Sequence, residues 1–259
     1  DQANFESIAP IIKPFTNEIQ QESFKKGGYY YHDFPEGKLR LLILDTIIYN
    51  EARDLKDDPY DQFSWIRKTS QEAHDLGYRV GASIHIPPGI AENTPPNFGQ
   101  GWREEYMKAF DQVVKDSQIE FILAAHIHLD LFMPIYQPKG VSKAYSLSAP
   151  AVTASNHNNP SFRIIQYSDG QIVDYIQYYA DIMNNPQDEL DWKIEYRFKE
   201  AYNFDRITSE TLSKVIDAEG RWSYIQRVTS MASSNVKFYY CSFSSTTKEE
   251  MQKCLHPLN

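Results

Sequence analysis

The stretch that decides the fold is IEFILAAHIH, residues 119–128. Apart from Glu120, residues 119–125 are apolar, too few for a helix and rich in Ile, Leu and Phe. Such a run reads as a strand buried on both faces. His126 and His128 follow where it ends. A second strand, Tyr78 to Ile84, runs into His85-Ile86-Pro87-Pro88-Gly89. A third, Leu39 to Ile48, lies between Gly37 and the polar pair Asn50-Glu51.

Helical patterns separate these runs. Asp57-Asp58-Pro59 reads as a helix start, because acidic residues and proline suit the first turn. That helix is expected from Tyr60 to Leu76, with Phe63, Ile66 and Ala73 inward and Gly77 as the cap. Trp102 to Val114 reads as another. Ala3 to Ile12 reads as a short helix and Tyr29 to His32 as the start of strand-like sequence. Further strands are expected at Ala144–Ala149, Ser161–Tyr167 and Ile172–Tyr179, the last two joined by a turn at Asp169-Gly170. After Asn184-Asn185-Pro186 the pattern changes, and residues 187–234 favour helix. Strands alternating with helices predict an α/β layered core over residues 1–183 and a small helical subdomain over 184–259.

Composition narrows the function. The chain has 259 residues, 26 Lys and Arg against 35 Asp and Glu, and a net charge of −9. An acidic surface argues against general nucleic-acid binding, which needs cationic groups to displace counterions. The most apolar stretch, Ile119 to Tyr136, carries Glu120, His126, His128 and Asp130, so no membrane-spanning segment is expected. With Asp1 in place of an initiator Met, the chain is expected to be processed, trimmed or partial. Cys241 and Cys254 form no Cys-x-x-Cys pair, and read either as two buried thiols or as a bridge across a short C-terminal loop.

The histidines carry the chemistry. Residues at i and i+2 of extended backbone point the same way, so His126 and His128 are expected to reach into one site. Sites in open α/β sheets form beyond the carboxyl ends of strands, where His85 also lies. Imidazole is the commonest nitrogen ligand for zinc-like metals. Pro87 and Pro88 would stiffen the loop holding His85, with Ile84 and Leu123 behind. The competing reading is three hydrogen-bonded structural histidines. His32, His74, His157 and His256 have no comparable company and read as surface or structural. No Gly-x-Ser-x-Gly elbow, phosphate-binding glycine loop or His-Glu-x-x-His occurs.

In order, the chain contains Gly27-Gly28-Tyr29-Tyr30, the strand Leu41 to Tyr49, Asp58-Pro59, Gln62-Phe63-x-Trp65, and His85-Ile86-Pro87-Pro88-Gly89. His126-x-His128, Ala149-Pro150-Ala151-Val152-Thr153, Asn159-Pro160-Ser161-Phe162-Arg163, Gln177-Tyr178-Tyr179 and Trp192-x-x-Glu195-Tyr196 follow. This ordered set resembles the acid sphingomyelinase-like phosphodiesterases of the calcineurin-like metallophosphoesterase superfamily. The resemblance implies a four-layer αββα sandwich, of which this chain is the C-terminal half, with the C-terminal helical subdomain after it. It implies two divalent metal ions, zinc by preference. His85 and His126 would bind one and His128 the other, with Ala125 where the family has glycine. It implies a metal-activated water attacking a small-molecule or lipid phosphodiester, such as sphingomyelin or a nucleotide. It places Asn158, Asn159 and the loop Pro87–Gly101 at the substrate, makes Cys241–Cys254 a disulfide, and suggests a secreted or lysosomal protein.

The family's Asp-x-His, Gly-Asp and Gly-Asn-His segments are absent, so no catalytic residue is assigned here. Three neutral imidazoles lack the bridging carboxylate that would screen two close cations. This segment alone is therefore expected to be inactive, to need an N-terminal half as partner, and to expose sheet edge and apolar surface without it. The rival expectation is a non-catalytic binding or structural protein that has lost the first half of the site.

Overall fold

The computed structural model describes residues 2–50, 58–94, 97–137, 140–154, 159–168, 170–182, 190–218, 241, 245 and 247–256. Helices α1 (Gln2–Ile12) and α2 (Glu18–Gly27) precede strands β1 (Tyr30–Phe34) and β2 (Leu39–Ile43). Helix α3 (Gln62–Asp75), strand β3 (Arg79–Ser83), the hairpin β4 (Ile90–Thr94) and β5 (Asn97–Gln100), and helix α4 (Glu104–Asp116) follow. Then come β6 (Ile119–Ala124), β7 (Leu131–Gln137), β8 (Gly140–Ser148), β9 (Ser161–Ser168), β10 (Gln171–Ala180) and β11 (Trp192–Arg197). Helices α5 (Phe198–Tyr202), α6 (Ser209–Ala218) and α7 (Lys248–Leu255) complete the described elements.

Six strands form one sheet in the order β1-β2-β3-β6-β8-β7. The four central strands are parallel, and β1 and β7 are antiparallel edges. The apolar runs of β2, β3 and β6 are continuous because both faces of this sheet are covered. On one face, Leu42, Val80, Ala82, Ile122 and Ala124 meet Phe63 and Ile66 of α3 and Phe110 and Val113 of α4. On the other, Leu39, Phe121, Tyr145 and Leu147 meet Ile172 and Tyr175 of a three-stranded antiparallel sheet, β11-β10-β9. Phe198 of α5, Leu212 of α6 and Met251 of α7 share that second core. The α/β class and the helix–sheet–sheet succession are thus as expected. At Gly81 the Phe121 ring lies 2.3 Å from where a Cβ would stand, so glycine there is a packing requirement.

Local chemistry explains the main helix starts. Asp58 accepts hydrogen bonds from the backbone N–H groups of Phe63 (2.8 Å) and Ser64 (2.9 Å), satisfying free donors at the start of α3. Gly77, at φ +73°, follows its end. Asn17 and Gln20 form a reciprocal capping box at α2.

Three local expectations are corrected, and two elements, α2 and β7, come in addition. The strand from Leu39 stops at Ile43, and Ile47–Tyr49 is a 3-10 turn. Residues 18–27, left unassigned from sequence, form α2. The proline-rich loop after Gly89 contains the β4–β5 hairpin. Strand β7 returns antiparallel to β8. Trp192–Arg197, expected to be helical, is β11, paired with β10 from Ile176↔Arg197 to Ala180↔Trp192. Trp192 and Ile194 alternate with the period of a strand, and a bulge at Glu195 then turns Tyr196 to the other face.

Register places Phe162, Tyr178 and Ile194 side by side, facing away from Arg163 and Gln177. On that outward face Phe162 stacks on Tyr178, Trp192 packs edge-on against Phe162, and Ile164 and Ile194 are exposed. Cys241 and Cys254 are joined by a disulfide that ties α7 to the buried position 241. Among the described residues, no helix is long and apolar enough to cross a membrane.

Candidate metal site beyond the central strands

His85 and His126 each lie two residues beyond the end of adjacent parallel strands, β3 and β6. The ladder continues past the regular strands. Ile84 N–H donates to Leu123 O (2.9 Å) and Ala125 N–H donates to His85 O (3.1 Å). The loop carrying His85 is pinned from several sides. Ile86 is buried, its N–H donates to Thr46 Oγ1 (2.9 Å), and its carbonyl accepts from Trp102 Nε1 (2.9 Å). Prolines were the expected stiffeners; Thr46 and Trp102 add fixed polar anchors.

The other loop departs from expectation. His126 and His128 are not extended; their φ values are +69° and +64°. Left-handed backbone at a non-glycine residue costs about 1–3 kcal/mol. Ile127 N–H donates to Ala125 O at 2.7 Å, closing a tight turn. Burial nevertheless alternates: Ile127 and Leu129 are buried, while His126 and His128 are half-buried.

His126 Nδ1 lies 3.3 Å from His85 Nε2, with the rings tilted at 74°. Two nitrogens bound tetrahedrally to zinc at about 2.0–2.1 Å stand roughly 3.3–3.4 Å apart. The pair therefore fits ligation of one cation, and equally a single N–H···N hydrogen bond. Among the described residues, no group of three or more His, Cys, Asp or Glu gathers at metal-binding distance. Two of the three expected histidines are thus brought together, and His128 is not part of a three-ligand cluster.

Behind this turn lies a buried polar network without a role in the sequence reading. Asp130, just before β7, accepts from Arg163 Nη2 through one carboxylate oxygen and from Tyr196 OH through the other. The Asp130 and Arg163 side chains are 7% and 2% exposed. Arg163 Nε donates to Gln177 Oε1 (3.1 Å), and its guanidinium lies 3.9 Å from the Tyr175 ring centroid. Tyr175 and Tyr196 share a hydroxyl–hydroxyl bond of 2.8 Å. Burial, then the Asp130 charge, pushes both phenols well above their ordinary range. Arg163 and Tyr196 stand in matched segments of the sequence; Asp130 follows His128 by two residues.

The proposed substrate residues divide. Asn158 lies outside the described residues. Asn159 Oδ1 accepts from Ile182 N–H at 3.1 Å, which ties it to the end of β10. His74 is structural, with ring nitrogens 3.2 Å from Tyr78 O and 3.1 Å from Ser117 O.

Comparison with known proteins adds the family. The acid sphingomyelin phosphodiesterase C-terminal region matches residues 141–250. "Sphingomyelinase phosphodiesterase C" of Dictyostelium discoideum is 30% identical over 94% of this chain and 57% of its own length. The chain is similar to the acid sphingomyelin phosphodiesterases. "Cyclic GMP-AMP phosphodiesterase SMPDL3A" of Bos taurus is 29% identical over 82% of this chain and 50% of its own length. The chain thus spans about half the length of the curated proteins it matches. Among solved structures, a purple acid phosphatase from yellow lupin aligns with 68% of this chain and 33% of its own, at 13% identity and a TM-score of 0.37.

Proposed function

We propose that this chain is part of a metal-dependent phosphodiesterase. His85 and His126 act as ligands to one divalent cation, and His128 serves a second. The facing ring nitrogens, 3.3 Å apart beyond adjacent strands, are the observation that carries this reading. Nitrogen donors at that spacing suit zinc. Bound cations supply charge neutralisation at the phosphoryl oxygens and a nucleophilic water. The chain's own contribution is to hold two imidazoles at a fixed separation on loops whose Ile84, Ile86, Ile127 and Leu129 are buried. Relatives named for sphingomyelin and for cyclic GMP-AMP support a lipid or nucleotide phosphodiester as substrate.

The remaining ligands and the proton donor come, in this reading, from an N-terminal half of the same domain. The outward apolar face at Phe162, Ile164, Trp192 and Ile194 is a surface for it to cover. This chain alone is then inactive. The Cys241–Cys254 bridge supports an oxidising compartment, secreted or lysosomal.

The test compares this chain with the longer polypeptide, using metal analysis and hydrolysis of bis(4-nitrophenyl) phosphate. We expect two cations and turnover in the longer form, no turnover in this chain, and loss of turnover in His126→Ala. Hydrolysis that survives His126→Ala sinks the assignment. A metal-free, inert longer form points to the rival, a non-catalytic binding or structural protein.

A further inference from the structure

We propose that Arg163 and Tyr196 are positioning residues. Acting through Asp130, they hold the His126–His128 turn in the conformation that brings His126 to His85. This rests on the metal reading above and extends it to side chains that touch no cation.

The turn needs an external constraint. Two histidines at positive φ, separated by one residue, occupy a region that residues with a Cβ rarely visit. Such backbone persists only where its surroundings over-determine it. On the near side, Ala125 N–H is tied to His85 O. Below, Ile127 and Leu129 are buried. Apolar packing sets how deep the turn sits, but it is non-directional and does not fix rotation.

Direction comes from Asp130. Each of its carboxylate oxygens receives a donor from a different strand: Arg163 from β9 and Tyr196 from β11. The strand between them is tied in, because Gln177 and Tyr175 of β10 bond Arg163 and Tyr196 respectively. Gln177 in turn donates to Phe162 O (3.0 Å) and Tyr178 O (3.1 Å), which fixes it to the sheet backbone. All three strands of the small sheet therefore bear on one carboxylate, two residues beyond His128. Charge-assisted bonds to both oxygens restrict its orientation more than a single contact would. The small sheet thus sets the angle of a loop that belongs to the large one. Groups that orient metal ligands from behind commonly act this way.

The test uses the whole chain with Zn2+ as probe, in competition with a chromogenic chelator, and Co2+ as a spectroscopic probe. Tyr196→Phe is expected to weaken Zn2+ binding about tenfold and Asp130→Asn up to about a hundredfold. Both should shift the visible Co2+ bands while far-ultraviolet circular dichroism stays native. Arg163→Lys, which keeps the charge but not the planar fork, should recover part of the affinity lost in Arg163→Met. Ile66→Val, in the core beneath α3, should lower stability and leave Zn2+ affinity unchanged. The proposal is overturned if folded Tyr196→Phe and Asp130→Asn bind Zn2+ like wild type, or if Ile66→Val weakens binding as much as they do. Equal Zn2+ binding by wild type and His126→Ala removes the metal reading itself, and with it this extension. That outcome involves no change at Asp130, so the two failures are told apart.

Discussion

Replacing Arg163 with Met tests how much of the molecule rests on one buried charge. The substitution keeps an unbranched chain of similar length but removes the cationic partner that Asp130 has among the described residues; the Asp130 side chain is 7% exposed. Removing one member of a buried ion pair typically costs about 3–5 kcal/mol, because the other charge stays desolvated. Tyr196 OH still donates to Asp130, which offsets part of this, while Tyr175 loses its guanidinium. The loss should therefore lie near the lower end, about 3 kcal/mol. Asp130→Leu combined with Arg163→Met removes both charges. It leaves Gln177 Oε1 without its Arg163 donor and one hydroxyl proton of the Tyr175–Tyr196 pair without the Asp130 acceptor, each a cost of about 1–2 kcal/mol. Urea unfolding followed by tyrosine and tryptophan fluorescence gives all three values in a double-mutant cycle. A single-variant loss below about 1 kcal/mol, or a double variant as unstable as the two singles summed, would refute the reasoning.

Other outcomes follow from the same coordinates. Cys254→Ser opens a loop with a sequence separation of 13 and should cost about 3 kcal/mol in the chain-entropy account, read as a lower urea midpoint; an unchanged midpoint argues against it. Burial, then the Asp130 charge, pushes Glu195 up to about 7 from 4.5, against the pull of Arg163. A raised folded pKa gives stability that is complete below about 4.5 and lost as pH rises through about 7; solvent at the exposed face of β11 reduces its size. Glu195→Gln should therefore flatten the fall in melting temperature over that window, and a parallel fall in both proteins removes the claim. Gly81→Ala drives a methyl into the Phe121 ring and should cost about 1–3 kcal/mol, partly relieved by Phe121→Leu; a neutral result would mean β3 and β6 can move apart.

What the sequence made legible follows from burial. Strands β2, β3 and β6 stand out because both their faces are covered, which leaves uninterrupted apolar runs. The facing of His85 and His126 follows from their equal distance past two such strands. Strand β11 was missed because its alternation sits among helix-favouring residues and its apolar side faces outward. Helix α2 carries a legible start signal in Asn17-x-x-Gln20, the capping box. The left-handed backbone at His126 and His128 was not legible, since nothing in Ala-His-Ile-His demands it. Its support comes from Arg163 and Tyr196, 33 and 66 residues from Asp130 along the chain. Only the packing of one sheet on the other brings those residues to the turn.

The two facing rings are 41 positions apart in the chain and meet only when β3 and β6 lie side by side. Any cation held between them would therefore be coupled to the native state. A ligand that binds only the folded form adds about 2.7 kcal/mol at a hundred times its dissociation constant. Calorimetric melting with graded Zn2+ would thus weigh any grip on the ion without a substrate.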